Sequence, residues 1–443
     1  MTLDTDALKT DRRRLIAGAA ALAATPGAVR AAGTAAMAFP KGFVWGAATA
    51  GHQIEGNNVN SDSWVLENVT PSIYRQPSGD ACNSLELWAQ DLDAAAAMGL
   101  NAYRFSLEWP RIEPERGQFS LAMLDHYKRI IEGCRARGLT PVVTFNHYTT
   151  PRWFAREGGW VNPQAPGLFA RFCETAAKHL AAQIGYATTL NEPNIMNVLK
   201  VVLPPPVVAA QRAMLQAAAK ACGSDRFAAG NSIDSDDVDA ATVNLIAGHK
   251  AARAAIKGVR PDLPVGLSLS MFDDVGDPAV RDRMRGVLYG AWLDAVRGDD
   301  FLGVQNYEQV VWRADGTRAP ARPGLPVNYA GAEVCPPSLA GAVRYAHAAT
   351  GCPIIVTEHG VGTDDDSIRA GFIPASLGHL RQAMADGVPV QGYVHWSLID
   401  NFEWIFGYKV HLGLHSIEPG TFRRIPKPSA AVLGRIARAN ALA

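Results

Sequence analysis

The feature of this sequence that most constrains its fold is a regular alternation of apolar, strand-like segments with segments that have helical spacing. Eight strands are predicted, the first within residues 43–50 and the others at 100–107, 140–145, 186–190, 265–270, 301–305, 353–357 and 390–396. The predicted helices that follow them lie at 85–98, 121–137, 167–183, 240–257, 278–296, 338–348, 373–385 and 429–439. Such alternation predicts a parallel sheet, and eight repeats predict that the sheet closes. The sequence therefore predicts an α/β fold, a single (β/α)8 TIM barrel.

The composition is compatible with one such barrel. The chain has 443 residues, of which 48% are hydrophobic and 19% charged, and a barrel with insertions can fill this length as one domain. The formal net charge is zero and no basic block follows the N-terminus, so we expect no nucleic-acid partner. The six cysteines form neither a CxxC motif nor a Cys/His cluster with zinc spacing, so we predict no metal site and mostly buried, apolar cysteines.

The first 32 residues have the composition of a targeting signal. Three consecutive arginines, Arg12 to Arg14, precede a short apolar run, and Val29-Arg30-Ala31 suits a signal peptidase. This pattern resembles a twin-arginine export signal, although a Sec signal or a disordered basic tail would share parts of it. We therefore divide the chain into a signal peptide (1–32) and a barrel (33–443). We expect a periplasmic or secreted protein that contacts the twin-arginine machinery transiently and has no stable membrane anchor.

Two glutamates stand at the ends of predicted strands that are distant in the sequence. Glu192 follows the fourth strand and Glu358 follows the seventh. The C-terminal ends of barrel strands meet at one face, so we expect both carboxyls in one cleft. Retaining glycoside hydrolases hold two carboxyls about 5–5.5 Å apart, one as the acid/base and the other as the nucleophile. The two glutamates therefore predict this reaction class.

Three further polar residues occupy equivalent positions on neighbouring strands. Asn191 directly precedes Glu192, and its amide can form a hydrogen bond with a sugar 2-hydroxyl. Arg104, at the end of the second strand, is placed to keep Glu358 ionised. His147, after the third strand, can bind another sugar hydroxyl.

Five motifs in this order resemble glycoside hydrolase family 1, the β-glucosidase family. They lie at 39–56, 101–112, 189–193, 357–360 and 392–404, and the resemblance extends from Phe39 to about Leu414. The resemblance implies a retaining β-glycosidase without a metal or organic cofactor, in which Glu192 is the acid/base and Glu358 the nucleophile. Its partner would be a small-molecule or oligosaccharide β-glycoside.

The resemblance also implies roles for the residues around the two carboxyls. Tyr307 matches a tyrosine that contacts the nucleophile, and Trp396 matches the aromatic floor of the sugar site. The residues that match binding partners of the sugar hydroxyls are Gln53, His147, Asn191, Glu403 and Trp404. Gln305 stands where the family usually has Asn, so its amide lies one methylene further from the backbone.

Other departures from the family pattern concern residues next to the motifs. Tyr148 stands where Trp usually follows the histidine, His359 replaces the Asn after the nucleophile, and Ala187 replaces a common Trp. None of them removes a catalytic carboxylate, and together they bear on the choice of sugar and aglycone. The least similar segments, 200–239 and 313–333, are expected to select the aglycone.

The sequence predicts hydrolysis of terminal, non-reducing β-D-glycosides, with β-glucosidase as the leading interpretation. A β-galactosidase, β-fucosidase, β-xylosidase or transglycosidase of the same family stays open as an alternative. A second alternative is a carbohydrate-binding barrel without turnover. The Pro-rich segments 203–206 and 318–326 are predicted to be surface loops, and the acidic segment 223–239 a loop over the active face.

Overall fold

Eight parallel strands close into a barrel in the structure, a computed structural model that describes residues 37–442. The strands are β1 (Val44–Ala48), β2 (Ala102–Ser106), β3 (Thr140–Asn146), β4 (Tyr186–Asn191), β5 (Val265–Ser270), β6 (Leu302–Asn306), β7 (Ile354–His359) and β8 (Val390–Trp396). Strand β1 pairs with both β2 and β8, which completes the circle. The predicted barrel is therefore confirmed. The predicted boundary at residue 32 and the signal peptide lie outside the described residues.

Eight helices, one after each strand, cover the outside of the barrel. They are α1 (Ser84–Ala97), α2 (Leu121–Ala136), α3 (Ala165–Leu180), α4 (Val238–Val259), α5 (Pro278–Arg285, continued by Gly286–Gly290 and Ala291–Ala295), α6 (Ser338–Thr350), α7 (Asp366–Ala385) and α8 (Pro428–Ala439). Because helices cover the outside and side chains fill the inside, nearly every strand residue is buried. Four of the six cysteines are buried, as predicted.

Helix α7 begins earlier than predicted, at Asp366 instead of residue 373. Asp365 caps it, since its carboxylate accepts a hydrogen bond from the Ser367 backbone N–H at 2.9 Å. A start at 373 would place Pro374 in the first helical turn, which proline favours. In the structure Pro374 lies inside the helix instead.

Further helices, turns and two-stranded sheets lie outside the barrel strands and the eight helices that cover them. The short helices are Gly51–Ile54, Asp62–Asn68, Trp109–Ile112, Arg152–Arg156 and Ile195–Val202, with 3-10 turns at Gly159–Val161, Ala181–Gln183, Ser235–Asp237 and Trp404–Phe406. One longer helix spans Pro205–Ala221. Small two-stranded sheets pair Met37–Ala38 with Ala441–Leu442, Asp273–Gly276 with Gln309–Trp312, and His415–Ile417 with Arg424–Pro426. None of the helices within residues 37–442 combines the length and the hydropathy that a membrane span requires.

The prediction of a surface loop at 203–206 was wrong. One helix ends at Val202 and the next begins at Pro205. Pro205 and Pro206 occupy the first turn of the second helix, where a missing N–H group breaks no helical hydrogen bond. Proline here marks the start of a helix.

Helix Pro205–Ala221 forms a second apolar cluster above the barrel. Its buried residues Met214, Leu215 and Ala218 pack in one cluster with Leu66 and Phe402. Phe402 directly precedes the predicted sugar-binding residues Glu403 and Trp404. The helix therefore supports the segment that carries them.

Candidate active site

The predicted site residues converge on a cavity of about 420 Å³ at the C-terminal end of the barrel. The cavity wall includes Gln53, His147, Asn191, Glu192, Tyr307, Glu358, Trp396, Glu403 and Trp404. Arg104 and Gln305 are fully buried and form hydrogen bonds with Asn191. The structure thus brings all eleven predicted residues together.

Irregular strand pairing changes the side-chain direction of two of these residues. In β7, one residue lies between Val356 and Glu358, whereas their partners in β6, Val304 and Gln305, are adjacent. In β4, a similar shift before Asn191 adds one residue relative to β5. An extra residue in one strand rotates the following side chain toward a new direction. These shifts help Asn191 and Glu358 to face the cavity.

Glu192 follows β4 in a backbone conformation that is uncommon for a residue with a side chain. Its φ is +41°, in the left-handed region. The Glu192 backbone N–H donates to the Ser268 carbonyl at 2.8 Å, which holds the turn in place. Such backbone geometry is concentrated at functional sites, where the surrounding structure stabilises it.

Two donors hold Glu358. The Arg104 guanidinium donates to Oε1 at 2.5 Å, and the Tyr307 hydroxyl donates to Oε2 at 2.5 Å. Burial is the largest effect and leaves the pKa of Glu358 raised, while the positive charge of Arg104 and the Tyr307 hydrogen bond act against it. Because these partners favour the ionised form, Glu358 is the carboxyl of the pair that is suited to carry the negative charge.

Glu192 has different surroundings. The Tyr148 hydroxyl donates to its Oε2, and Oε1 has no hydrogen-bond partner among residues 37–442. Burial and the charge of Glu358 raise the pKa of Glu192 to about 8. At neutral pH Glu192 therefore holds a proton, while the Arg104 cation beside Glu358 favours the negative charge on that carboxyl. Two neighbouring carboxyls with such different partners suit the roles of acid and nucleophile.

A chain of hydrogen bonds fixes the orientation of the amide and the imidazole. Asn191 Oδ1 accepts from Arg104 Nη2 at 2.6 Å and from Gln305 Nε2 at 2.7 Å. The Asn191 amide therefore donates toward His147 Nε2, 3.2 Å away, which assigns the imidazole proton to Nδ1. Burial and the Arg104 charge lower the pKa of His147. His147 is thus a neutral ring whose Nδ1–H can donate to a ligand.

Two tryptophans belong to the wall of the cavity near the carboxyls. Trp396 lies 5.6 Å from the His147 ring at an angle of 19°, and its indole donates to Glu403 Oε1 at 3.3 Å. Trp404 stacks on His52 at 5.7 Å and 7°. His52 in turn contacts Glu67 at 2.6 Å. The flat rings are therefore held from behind by packing and hydrogen bonds.

Several buried polar atoms at this wall have no partner within the described part of the chain. They are Gln53 Oε1, His147 Nδ1, Glu192 Oε1 and Gln305 Oε1. Buried polar groups are normally hydrogen-bonded. Two donors, His147 Nδ1 and protonated Glu192 Oε1, together with two amide oxygen acceptors suit a ligand with many hydroxyls. In residues 37–442 no group of three or more His, Cys, Asp or Glu side chains could hold a metal ion.

The chain matches the family described as Glycosyl hydrolase family 1 over residues 35–252 and 313–442. The chain belongs to glycosyl hydrolase family 1. The thermostable β-glucosidase B of Thermobispora bispora is 30% identical, with 99% of each chain covered. A bifunctional β-D-glucosidase/β-D-fucosidase of Bifidobacterium breve is 29% identical over 89% of this chain and 96% of its own. The crystal structure of β-glycosidase BGL167 superposes with a TM-score of 0.86 at 43% identity, covering 91% of this chain and 98% of that one.

Membership of glycosyl hydrolase family 1 gives the reaction class. The chain is a glycoside hydrolase, a β-glycosidase that retains the configuration of the anomeric carbon. The family resemblance seen in the motifs is confirmed, and so is the predicted enzyme class.

The same cavity is also lined by apolar residues that were not predicted from the sequence. Ile195, Val198, Leu199 and Val202 come from helix Ile195–Val202, Phe272 and Tyr329 come from loops, and Ile405 and Phe406 come from the 3-10 turn Trp404–Phe406. The spacing i, i+3, i+4, i+7 of the four aliphatic residues is the pattern of one helix face. That spacing was visible in the sequence, but the prolines that follow it obscured the helix.

The segments expected to border the cavity do so. Asn231 and Ser232 line it from the segment 223–239, and Arg318 and Tyr329 line it from 313–333. His359, in contrast, points to the core, where its Nδ1 lies 3.0 Å from the Tyr393 hydroxyl. This departure from the family pattern supports β7 from behind.

Proposed function

We propose that this family 1 enzyme is an exported β-glucosidase that hydrolyses terminal, non-reducing β-D-glucosides, with Glu358 as the nucleophile and Glu192 as the acid/base. The observation that carries the proposal is the unequal pairing of the two carboxyls. Glu358 contacts a buried guanidinium, whereas Glu192 contacts a neutral phenol.

In the first step, a Glu358 oxygen attacks C1 of the sugar while Glu192 gives its proton to the glycosidic oxygen. The bond from C1 to the aglycone oxygen breaks, the aglycone leaves as an alcohol, and a glycosyl ester of Glu358 forms. Arg104 and Tyr307 orient the attacking carboxylate.

In the second step, Glu192 acts as a base. The ester at Glu358 carries no charge, so the repulsion that raised the pKa of Glu192 is lost and its carboxylate becomes stable. Glu192 takes a proton from water, the water oxygen bonds to C1, and Glu358 leaves as a carboxylate. Two displacements at C1 give net retention.

Binding of the glucose unit is assigned to the polar end of the cavity. Gln53 is held by hydrogen bonds from its amide to Asn401 and Phe402, which leave its Oε1 as an acceptor. Glu403, whose pKa burial and the Glu358 charge raise to about 8, is proposed to contact the 4- and 6-hydroxyls. The β-glucosidase names of the relatives support glucose. Fucose is the first alternative because the Bifidobacterium breve relative is named for both activities.

For the aglycone we propose an apolar group, such as an alkyl, aryl or polycyclic alcohol. The aliphatic residues of helix Ile195–Val202 and the aromatic residues Phe272, Tyr329 and Phe406 line the same cavity. An apolar surface of this kind gains free energy by covering hydrocarbon.

The test is covalent trapping with a panel of 2-deoxy-2-fluoro β-glycosides that carry a good leaving group, followed by intact mass and peptide mapping. We expect a single glycosyl adduct on Glu358, formed fastest with the glucoside. The Glu358→Gln variant should take no label, and the Glu192→Ala variant should be labelled but turn over slowly until azide is added.

An adduct on another residue would overturn the nucleophile assignment. Faster labelling by the fucoside or galactoside would overturn the glucose assignment and leave the mechanism intact. A folded protein that binds glycosides without forming any adduct would instead favour a carbohydrate-binding barrel without turnover.

A further inference from the structure

Tyr148 contacts the acid/base carboxyl directly. Its hydroxyl donates to Glu192 Oε2, and the residue is only 8% exposed. Tyr148 stands at a position where the family usually has Trp. A tryptophan has no hydroxyl, so this contact is a property of the tyrosine.

The surroundings hold Tyr148 in this position. Its φ is +66°, and the neighbouring Asn146 side chain donates to the Thr149 carbonyl at 2.8 Å, which closes the turn. The Tyr148 ring meets Trp404 edge-on at 5.3 Å. Gly230 packs so close that a Cβ there would lie 1.7 Å from the Tyr148 carbonyl oxygen. Gly230 therefore restrains the Tyr148 backbone, and Trp404 packs against its ring.

The chemistry of the contact is that of a donor. Burial, together with the charge of Glu192, raises the pKa of Tyr148 well above its ordinary value, so the phenol keeps its proton. With Oε2 occupied as an acceptor, the proton of neutral Glu192 belongs on Oε1, the oxygen without a partner among residues 37–442. A looser interaction with Ser270 acts in the same direction as Tyr148, toward the carboxylate form.

We propose that Tyr148 is a positioning residue that orients Glu192 in both steps of the reaction. In the first step it holds Oε2, so that Oε1 presents the proton to the glycosidic oxygen. In the second step the same hydrogen bond stabilises the carboxylate that removes a proton from water. Tyr148 keeps its own proton throughout. The proposal rests on the proposed role of Glu192 as the acid/base.

Each of the two glutamates thus accepts a hydrogen bond from one tyrosine. Tyr307 donates to Glu358 Oε2 as Tyr148 donates to Glu192 Oε2. Removing one hydroxyl should affect only the carboxyl that it contacts. This symmetry provides a matched control for the experiment.

The experiment compares the pH dependence of kcat/KM for the Tyr148→Phe variant and the unchanged protein. Loss of the donor destabilises the Glu192 carboxylate, so we expect the basic limb to move to higher pH by about one unit, a typical effect of one hydrogen bond to a charged group. Hydrolysis of an alkyl glucoside should slow by roughly tenfold, a fraction of what general acid catalysis contributes. A 2,4-dinitrophenyl glucoside, which needs no acid to leave, should react in the first step at an almost unchanged rate.

Two control variants distinguish a positioning role of Tyr148 from a merely structural role. Tyr307→Phe should move the acid limb to higher pH, because Glu358 loses a donor, and leave the basic limb in place. Tyr186→Phe, at the opposite end of the strand that precedes Glu192, should move neither limb. Equal losses for both substrates at every pH in Tyr148→Phe, with both limbs unmoved, would overturn the proposal.

A second substitution keeps the test valid even where Tyr148→Phe folds poorly. 3-Fluorotyrosine at position 148 is nearly the same size but is a stronger donor, so the basic limb should move to lower pH, opposite to the Phe variant. An unmoved limb would contradict the proposal. Failure of the underlying acid/base assignment is distinguishable, since azide would then not rescue Glu192→Ala.

Discussion

Glu192 and Glu358 are both almost fully buried, with 7% and 4% of their surface exposed, yet they differ in what they contact. One faces a cation and the other a phenol. Because a buried charge without a partner is costly, the negative charge of the pair resides where Arg104 is. The different roles of these two glutamates, nucleophile and acid, therefore follow from the position of the Arg104 guanidinium.

The pH dependence of activity follows from this division. The first step needs ionised Glu358 and protonated Glu192. The pKa of Glu192 is raised to about 8, so kcat/KM for an alkyl glucoside should stay high through neutral pH and fall about tenfold per unit well above pH 8. Initial rates across pH 4–10 measure this. A basic limb centred below about pH 6, or one that persists in Glu192→Gln, would contradict the assignment.

Most of the site was predictable because its residues stand at strand ends in recognisable motifs. The Tyr148 contact was not. It depends on a left-handed turn after β3 and on the close approach of Gly230 from a loop distant in sequence. Side-chain direction after such a turn depends on long-range packing, which a local pattern does not encode.

Helix Ile195–Val202 is the element that should set aglycone preference. Along a series from methyl to octyl β-glucoside, kcat/KM should rise by up to about fourfold per CH₂, since each buried CH₂ contributes about 0.8 kcal/mol. The double variant Leu199→Ser, Val202→Ser should flatten this rise and leave the methyl glucoside almost unaffected.

Lys200 provides the control for this helix, because it is exposed and pairs with Asp239 at 3.0 Å. Lys200→Ser should keep the full dependence on chain length. If cellobiose is a better substrate than octyl glucoside for the unchanged protein, the aglycone assignment is wrong.

Helix Pro205–Ala221 should link stability to sugar binding. Met214 is fully buried beside Phe402, so Met214→Ala should lower the free energy of unfolding by about 3 kcal/mol and raise KM, because Glu403 and Trp404 lose support. Denaturant unfolding and steady-state kinetics measure the two effects. Leu433→Ala in α8, also fully buried, should destabilise similarly with KM unchanged. Equal KM changes in both variants would argue against a specific link.

The strands and outer helices of the barrel were predicted because their apolar periods are long and regular. The two inserted helices were missed because Pro204 to Pro206 looked like a break, although two of these prolines lie within a first helical turn. The segment that shapes the aglycone half was thus the hardest to predict, since it lies outside the repeating pattern.

At the scale of the whole molecule, the export proposal has a direct test. Replacing Arg12, Arg13 and Arg14 by Lys keeps the charge but removes the arginine pair that the twin-arginine receptor reads. We expect the activity to shift from the exported fraction to the cytoplasm, with kcat unchanged. A change of residues 12–14 to Lys that leaves export intact would favour a Sec signal, and activity confined to the cytoplasm in the unchanged protein would reject export.

The pairing of β1 with β8 also determines when the protein can fold. Val44 lies beside Gly392 in the closed barrel. The first strand therefore cannot complete its pairing until β8, among the last parts of the chain to be synthesised, is available. A ribosome must release almost the entire polypeptide before the circle closes. For an enzyme exported as a finished barrel, folding and the disposal of failed copies would both belong to the cytoplasm, before the membrane is reached.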